Sequence, residues 1–517
     1  MNLVENVRSA VDDHPENVAI HYEGREQTYE EFWERTGRFA AALEQEGVQP
    51  DDRVAIYLPN LPQFVTAFHG IMRAGGIVVP MNPQYRSREL EHLLGDSGAT
   101  AVVTLPSLVE YVEDVREDTD VEFVVTVGAE TETSTEFEEF FADDTFGPVE
   151  RDDDDVACQP YTSGTTGTPK GVLLTHENLY WDADAADAPI PDGIRADDRH
   201  LGVLPLFHIY GMTVTMNATL FNGGAYYPMA EWEAETAVDL IEDEDITLLH
   251  AVPAMYNDLI NQPDAAEFDF GSLRFANSGG SGLPMEVLET WDSLYDVPLC
   301  EGYGLTETSP VTHANHPDDR RPGSIGKPLP GVDARIVDDD FATVDPVEEG
   351  PVDEDNAALH EITGELVISG PNVMKGYYER PDANAEAFTE ADGKRWFHTG
   401  DIGYHDEDGF FYVVDRKKHM IVTGGYNVYP REVEELLFEH EDVADAAVVG
   451  IPDERRGETV KAFIVRTPDA DVTEEELKQF CLDNLAPYKH PREVEFVQEL
   501  PRTTTGKVQK YELADEE

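Results

Sequence analysis

The chain has 517 residues, of which 40% are hydrophobic, so it is long enough for about three domain-sized units with buried cores. Aspartate and glutamate total 107 against 36 lysine and arginine residues, which gives a net charge of −71. Because such a surface repels phosphate backbones and anionic lipids, nucleic acids and anionic lipids are excluded as partners.

The first half of the chain alternates between short apolar runs and amphipathic stretches. Before residue 130, strands are predicted over 53–58, 76–80 and 100–104, and helices over 61–75 and 87–96. Between residues 200 and 302 the alternation resumes, with strands over 246–252, 273–278 and 297–302 and helices over 253–260 and 284–295. Strand–helix alternation is typical of parallel, doubly wound sheets. Two blocks of it predict an α/β fold with two such sheets packed together.

The pattern changes to strands and turns from about residue 323 to 415, and the acidic stretch 338–357 predicts a solvated loop. The tail is predicted to form a separate unit, with strands over 442–451 and 459–465. A helix is predicted over 472–485, where Thr473 and Glu476 form a capping box.

The location of the protein is predicted from what the sequence lacks. It has no run of about 18 apolar residues, so no transmembrane segment is expected. The N-terminal residues lack the basic and apolar regions of a signal peptide, which predicts a cytoplasmic protein. Cys158, Cys300 and Cys481 are too few and too scattered for a disulfide framework, and we expect buried or half-buried thiols.

The stretch 161–171, YTSGTTGTPKG, lies between two predicted strands and is rich in glycine and hydroxyl groups. Its glycines let backbone N–H groups turn inward as an anion-binding nest, and Lys170 adds a point charge. No lysine precedes Lys170, and the chain has only eleven. Pro169 and the following strand distinguish the stretch from a Walker A loop. A polyphosphate-binding loop is therefore favoured over a flexible linker.

Seven motifs, in order along almost the whole chain, resemble those of the adenylate-forming superfamily, which includes acyl-CoA synthetases, luciferases and the adenylation domains of peptide synthetases. They are YTSGTTGTPKGV (161–172), PLFHIYG (205–211), NSGGSG (277–282), EGYGLTE (301–307), FHTGD (397–401), DRKKHMIVTGGYNVYPREVE (415–434) and PRTTTGK (501–507). The resemblance implies a large N-terminal domain, residues 1–415, of two αβ sheets and a small β-barrel. It also implies a small, mobile α+β C-terminal domain, residues 416–517, with its hinge near 415–418 at Lys418.

The resemblance also implies an ATP site. Its residues would be Thr162, Ser163, Gly164, Thr165, Thr166, Gly167, Thr168, Lys170, Gly280, Gly302, Tyr303, Gly304, Thr306, Asp401, Arg416 and Lys507. Two of the loops follow predicted parallel strands, at the edge where open α/β sheets bind ligands. Tyr303 offers a flat face to adenine, and Asp401 is implied to bind the ribose hydroxyls with Arg416 beside it. The alternatives are ordinary turns at the glycines and an Asx turn at Asp401.

Four residues are implied to act in catalysis: Lys507, His208, Thr306 and Glu307. Glu307, joined by Thr162, is implied to bind Mg²⁺, which uses few protein oxygens beside a triphosphate. Lys507 is implied to reach the substrate carboxylate and the α-phosphate, where an ammonium ion stabilises developing negative charge. A solvated lysine near the terminus and a packed core histidine are the alternatives for Lys507 and His208.

The acyl pocket is implied to be lined by residues 208–212, 252–256 and 277–281. Within these ranges the acyl- and CoA-binding candidates are His208, Tyr210, Gly211, Val252, Gly279 and Ser281, and Gly425 is implied to line the pantetheine tunnel.

The sequence thus resembles an ATP-dependent carboxylate–CoA ligase, closest to fatty-acyl-CoA synthetases for medium or long chains. The implied partners are a small carboxylic acid, ATP and coenzyme A, and a homodimer stays open. An aryl-CoA ligase is one alternative, made less favourable by Val422, where many aryl-CoA ligases carry lysine. A nucleotide-binding pseudoenzyme is the other. The net charge predicts adaptation to molar salt and a haloarchaeal source.

Overall fold

The structure is a computed structural model of the 517-residue chain. It describes residues 2–163, 169–352, 362–417, 419–423, 426–440, 442–453, 455–468, 470–485, 487–502, 508–510 and 513. The chain forms two compact units. The first comprises Met1–Arg320, Pro328–Val332 and Gly370–Phe388, and the second Arg321–Lys327, Asp333–Ser369 and Thr389–Glu517. The predicted boundary at residue 415 concerns a movement between domains and stays a prediction.

The first unit contains most of the helices. They run over Val4–Asp13, Tyr29–Gln45, Pro62–Arg73, Ser87–Ser97, Val109–Arg116, Phe137–Phe140, His176–Ala185, Ala218–Phe221, Ala234–Asp243, Pro253–Ile260, Met285–Leu294 and Pro381–Ala387. A π-helix spans Tyr210–Asn217, and short 3₁₀ turns span Pro106–Leu108, Ala265–Glu267 and Thr306–Thr308. Helix starts follow from local chemistry. At Thr28, for example, the hydroxyl accepts from the Glu31 N–H and the Glu31 carboxylate accepts from the Thr28 N–H.

A nine-stranded sheet, called sheet A, is built mainly from the 200–302 block. Its order is Lys327–Pro328, Val311–Ala314, Leu299–Gly304, Phe275–Ser278, Leu248–Ala251, Arg199–Gly202, Ala225–Pro228, Val18–Tyr22 and Arg25–Thr28. The central strands are parallel and buried.

A second nine-stranded sheet, called sheet B, is built around the 53–126 block. Its order is Gly376–Tyr377, Pro169–Thr175, Val156–Cys158, Ile77–Pro80, Arg53–Tyr57, Ala101–Thr104, Phe123–Thr126 and Thr135–Glu136, and Tyr161–Ser163 pairs with Pro169–Thr175. The loop after strand Arg53–Tyr57 contacts sheet A. There the Asn60 side-chain amide donates to Gly202 O and Leu204 O, at 3.1 and 2.8 Å.

The two predicted αβ sheets are confirmed, but they are parallel only in their centres. Val18–Tyr22 and Arg25–Thr28 form an antiparallel hairpin at one edge of sheet A, and Leu299–Gly304 pairs antiparallel with Val311–Ala314 near the other. Short connections allow only antiparallel pairing, whereas parallel neighbours need a crossover. The predicted strands and helices of both blocks are present with shifts of one or two residues at most ends.

The second unit contains two five-stranded sheets. One comprises Asp333–Val337, Gly364–Ser369, Lys394–His405, Phe388–Ala391 and Phe411–Arg416. The other comprises Tyr426–Val428, Ile421–Thr423, Gly457–Arg466, Val443–Asp453 and Glu493–Val497, with helices Pro430–Phe438 and Glu474–Asn484. The capping box of Thr473 and Glu476 is confirmed. Residues 338–352, the described part of the predicted acidic loop, contain no helix or strand.

Three lysines of the second unit lie in ion pairs that are wholly or partly buried. Lys489 and Glu432 are 6% and 4% exposed and form a close pair. Lys461 Nζ lies 3.1 Å from Glu495, and Lys510 Nζ lies 2.8 Å from Glu434. Pairing offsets the desolvation of such charges, because an unpaired buried charge is strongly destabilising.

The cysteines are free and buried, as predicted. Burial raises the pKa of the Cys300 and Cys481 thiols to about 12, so neither is a reactive thiolate at neutral pH. Among the helices of the described chain, none is both long and apolar enough to cross a bilayer.

Candidate active site

The ends of the predicted phosphate loop are held as a β-hairpin. Strand Tyr161–Ser163 pairs antiparallel with the start of Pro169–Thr175, and Thr162 lies directly opposite Lys170. Directly paired residues on antiparallel strands point to the same face, so both side chains face the same way. The loop residues between them, Gly164, Thr165, Thr166, Gly167 and Thr168, lie outside the described residues, as does the side chain of Ser163.

A short segment that the sequence analysis missed runs beside this hairpin. Residues 376–377 pair antiparallel with 172–173 at the edge of sheet B. The Tyr377 hydroxyl donates to Glu307 Oε1 at 2.9 Å. On the face of the same ring, Lys170 Nζ lies 5.1 Å from the centroid. Tyr377 therefore contacts both the predicted phosphate lysine and the predicted metal ligand.

The loop that presents Glu307 is fixed by its backbone. Thr306 and Glu307 lie in the 3₁₀ turn Thr306–Thr308. The Glu307 carbonyl accepts from the Met374 N–H at 2.8 Å. A Cβ on Gly304 would lie 1.8 Å from Pro310 O, so only glycine fits there. Glu307 itself is half-buried, with access to solvent.

The residues present fit a magnesium ion that is bound mainly through phosphate. Among the described residues, no group of three or more His, Cys, Asp and Glu side chains could hold a metal alone. Mg²⁺ at nucleotide sites needs only one or two carboxylates and completes its coordination with phosphate and water. The half-buried Glu307 carboxylate, which accepts a hydrogen bond from Tyr377, meets that requirement.

The predicted acyl-pocket residues gather at the carboxyl ends of sheet A. The Tyr210 hydroxyl donates to Asn277 Oδ1 at 2.9 Å, and a Cβ on Gly279 would lie 3.0 Å from the Tyr210 ring. Gly280, with φ +84°, lies beside Val252, 3.5 Å from the position a Cβ would take. The structure thus brings Tyr210, Val252, Gly279 and Gly280 together.

The remaining predicted residues of these loops have other contacts or are exposed. Gly211 packs so closely on Pro205 that a Cβ would lie 2.5 Å from its carbonyl oxygen. Ser281 is exposed. A Cβ on Gly302 would lie 3.2 Å from Asn277 Oδ1. The Tyr303 ring packs edge-on against His313, with 6.0 Å between the ring centroids.

The protonation of His208 is set by its neighbour. Its Nδ1 accepts a hydrogen bond from the Tyr210 N–H at 3.2 Å. In the neutral ring the proton therefore sits on Nε2, which makes Nε2 a donor. His208 is half-buried, and its role in catalysis stays a prediction.

Two core histidines behind this cluster were not found from the sequence. His250 Nδ1 and His200 Nε2 lie 2.9 Å apart, and the His250 ring lies 6.1 Å from that of Tyr210. Burial lowers the pKa of His200 to about 3 and that of His250 well below its usual value. Both rings are neutral at physiological pH, so the wall behind Tyr210 is uncharged.

In the second unit, Asp401 and Arg416 are cross-strand partners. Arg416 Nε lies 2.9 Å from Asp401 Oδ1, and Asp401 is 2% exposed. The Asp401 N–H donates to the Thr399 hydroxyl at 3.0 Å, which fixes the strand at this point. Their predicted role at a ribose stays a prediction. Lys418, Gly425 and Lys507 lie outside the described residues.

Comparisons with known proteins identify the family of the chain. The AMP-binding enzyme family matches residues 7–378, and the AMP-binding enzyme C-terminal domain matches residues 432–507. The chain belongs to the AMP-binding enzyme family. The long-chain-fatty-acid–CoA ligase of Bacillus subtilis (strain 168) is 36% identical, over 97% of this chain and 92% of the relative.

Other similar proteins support the same family. The 2-succinylbenzoate–CoA ligase of Geobacillus sp. (strain WCH70) is 36% identical, over 96% of this chain and 94% of the relative. The crystal structure of ATP-bound MatB from Rhodopseudomonas palustris has a TM-score of 0.89 at 31% identity, covering 99% of this chain and 98% of that one. The predicted superfamily and its α/β fold, with a large N-terminal and a C-terminal domain, are confirmed.

Replacing Lys170 by alanine is expected to raise the KM for ATP about tenfold, the effect of losing one charge-assisted contact to phosphate. The measurement is pyrophosphate release as a function of ATP. Lys375→Ala is the matched control, because this exposed lysine of the neighbouring segment donates to the Asp154 carbonyl. Unchanged KM and kcat in Lys170→Ala would show that the hairpin does not hold the phosphates.

Proposed function

We propose that the chain is an ATP-dependent carboxylate–CoA ligase whose acid is a medium- or long-chain fatty acid. The observation that carries the proposal is the convergence of Lys170 and Glu307 on Tyr377, which places a cation and a carboxylate beside the hairpin of the phosphate loop. Long-chain-fatty-acid–CoA ligases 36% identical over nearly the whole chain support it. Ligation of an acid to CoA is what the names of the two curated relatives share.

In the first half-reaction the acid carboxylate attacks the α-phosphorus of ATP, and pyrophosphate leaves as acyl-adenylate forms. Catalysis of this step is mainly positioning and charge stabilisation. Lys170 and the Thr162 hydroxyl hold phosphate oxygens, and Glu307 would hold the metal. Bound Mg²⁺ neutralises charge on the phosphates. His208 is proposed to lie between the phosphates and the acyl pocket.

In the second half-reaction the thiol of coenzyme A attacks the acyl carbonyl and AMP leaves. The buried cysteines take no part, because their raised pKa values keep them protonated. Asp401, fixed by Thr399 and paired with Arg416, is proposed to accept the ribose hydroxyls. Lys507 is proposed to serve the first half-reaction, and Gly425 the pantetheine.

The residues around Tyr210 indicate the class of acid. Val252, Tyr256 and the Tyr210 ring are buried, and the nearby His200 and His250 are neutral. Among the described residues, the ranges 208–212, 252–256 and 277–281 contain no lysine or arginine. Such a wall offers no counter-charge for a second carboxylate, which favours an apolar monocarboxylic acid.

An aryl acid is the second candidate, supported by the 2-succinylbenzoate–CoA ligase relative and by the anthranilate– and benzoate–CoA ligase structures at 27% identity. Val422 makes an aryl acid less favourable, because many aryl-CoA ligases carry lysine at this position. The predicted cytoplasmic location stays a prediction, as does a homodimer. Adaptation to high salt is proposed from the net charge of −71.

The acid is identified by measuring pyrophosphate release in high salt with acids from acetate to palmitate, phenylacetate and benzoate, with and without coenzyme A. We expect AMP and pyrophosphate as products, dependence on Mg²⁺, and the highest kcat/KM for an aliphatic acid of medium or long chain. Formation of ADP and free phosphate would contradict the adenylation mechanism. A preference for benzoate would select the aryl-CoA ligase instead.

A further inference from the structure

Tyr377 is the residue through which the phosphate hairpin and the Glu307 loop contact each other. Its hydroxyl meets Glu307, and its ring face meets Lys170. We propose that Tyr377 is a positioning residue that orients the Glu307 carboxylate for a divalent metal and holds the Lys170 ammonium for phosphate. The inference rests on the proposed use of ATP at this site.

Two hydrogen bonds fix the backbone of Tyr377, and they therefore fix the point from which its side chain extends. Its N–H donates to Asn384 Oδ1 at 2.7 Å, and its carbonyl accepts from Asn384 Nδ2 at 2.9 Å. Gly376 has a φ of +152°, and a Cβ there would lie 2.9 Å from Asn384 Oδ1. A glycine is therefore needed for the clamp. Pairing of Tyr377 with Val172 ties the same residue to the phosphate strand.

The hydroxyl restricts the Glu307 carboxylate. A side chain on a surface loop samples several rotamers, and a hydrogen bond from a clamped phenol removes most of them. Partners that orient a metal ligand typically change metal affinity or activity by 10- to 100-fold when they are removed. The backbone bond from Met374 to the Glu307 carbonyl fixes the main chain of the same residue. Both anchors come from one segment, residues 374–377.

The face of the Tyr377 ring contacts the Lys170 ammonium. At 5.1 Å from the centroid, the ammonium lies within the range of a cation–π contact. Tyr377 thus contacts an anion through its hydroxyl and a cation through its ring face.

The test compares Tyr377→Phe with Tyr378→Phe. The first change removes only the hydroxyl on Glu307 and keeps the ring under Lys170. The second removes the hydroxyl of the adjacent tyrosine, whose ring lies 4.5 Å from the Arg53 guanidinium carbon. Mn²⁺ is titrated onto each enzyme with α,β-methylene-ATP bound, and free Mn²⁺ is counted by its EPR signal. We expect the Kd for Mn²⁺ to rise about tenfold in Tyr377→Phe and to stay at the wild-type value in Tyr378→Phe.

Kinetics give a second readout. The Mg²⁺ concentration for half-maximal adenylate formation should rise about tenfold in Tyr377→Phe, and excess Mg²⁺ should restore kcat. Tyr377→Leu, which also removes the ring, should raise the Kd for metal-free α,β-methylene-ATP several-fold, as expected for the loss of one cation–π contact. Equal Mn²⁺ affinity in wild type and a folded Tyr377→Phe would overturn the inference. If Tyr377→Phe does not fold, the nucleotide Kd of Tyr377→Leu still tests the contact with Lys170. An unchanged Kd would overturn the proposal that Tyr377 holds the Lys170 ammonium.

Failure of the ligase proposal and failure of the inference about Tyr377 would be distinguishable. A wild-type protein that forms no acyl-CoA with any acid would refute the ligase proposal. The Mn²⁺ titration would still decide whether Tyr377 positions Glu307, because it needs bound nucleotide and metal but no turnover.

Discussion

Lys507→Ala should lower the rate of acyl-adenylate formation by about 10²–10³-fold, the cost of removing one electrostatic contact to charge that develops in the transition state. The same variant should convert supplied acyl-adenylate and coenzyme A to thioester at near the wild-type rate. The reason is that Lys507 is proposed to act only while the C-terminal domain is closed for the first half-reaction. The two rates are measured separately, as pyrophosphate release and as thiol consumption.

Lys418→Pro is the reciprocal variant. A proline restricts the backbone rotation that the proposed hinge requires, so thioester formation should fall while adenylate formation persists. Lys417→Ala is the matched control: it changes the adjacent lysine, whose backbone N–H donates to the Gly400 carbonyl at 2.8 Å and is untouched by the substitution. Equal damage to both half-reactions in Lys507→Ala and Lys418→Pro would mean one static site, and the hinge proposal would be abandoned.

Removal of salt should unfold the protein. With a net charge of −71, carboxylates repel one another across the surface, and the Debye length falls from roughly 10 Å at 0.1 M to roughly 3 Å at 1 M salt. Activity and far-UV circular dichroism are expected to be native in about 2 M KCl and lost in dilute buffer. Sucrose at matched water activity is the control, because it is excluded from protein surfaces but screens no charge. Full activity after dialysis into dilute buffer would contradict adaptation to high salt.

Most of the fold could be predicted because it follows from local patterns. The helix Pro253–Ile260 begins and ends at the predicted residues, and the capping box of Thr473 and Glu476 forms as expected. Buried parallel strands appear as apolar runs, such as Ile77–Pro80, and helices as amphipathic periods. These signals are contained within about a dozen residues.

The contacts that complete the site could not be predicted in this way. Residues 376–377 join sheet B beside a strand some two hundred positions earlier in the chain, and no local period marks them as a strand. Tyr377 meets Glu307 only because both segments approach that strand. The place of the hairpin Val18–Thr28 in sheet A also depends on a distant partner, the strand Ala225–Pro228. By contrast, Asp401 and Arg416 lie in recognisable motifs, and the structure pairs them across neighbouring strands.

The scarcity of lysines limits the side reactions of an acyl-adenylate that leaves the active site. Acyl-adenylates are mixed anhydrides that acylate free amines, and this chain of 517 residues has only eleven lysines. Lys461 and Lys489 are buried and paired with Glu495 and Glu432. An ammonium ion held in such a pair has no lone pair with which to attack an anhydride. A surface of carboxylates with few available amines therefore limits self-acylation by the reactive compound that the enzyme makes.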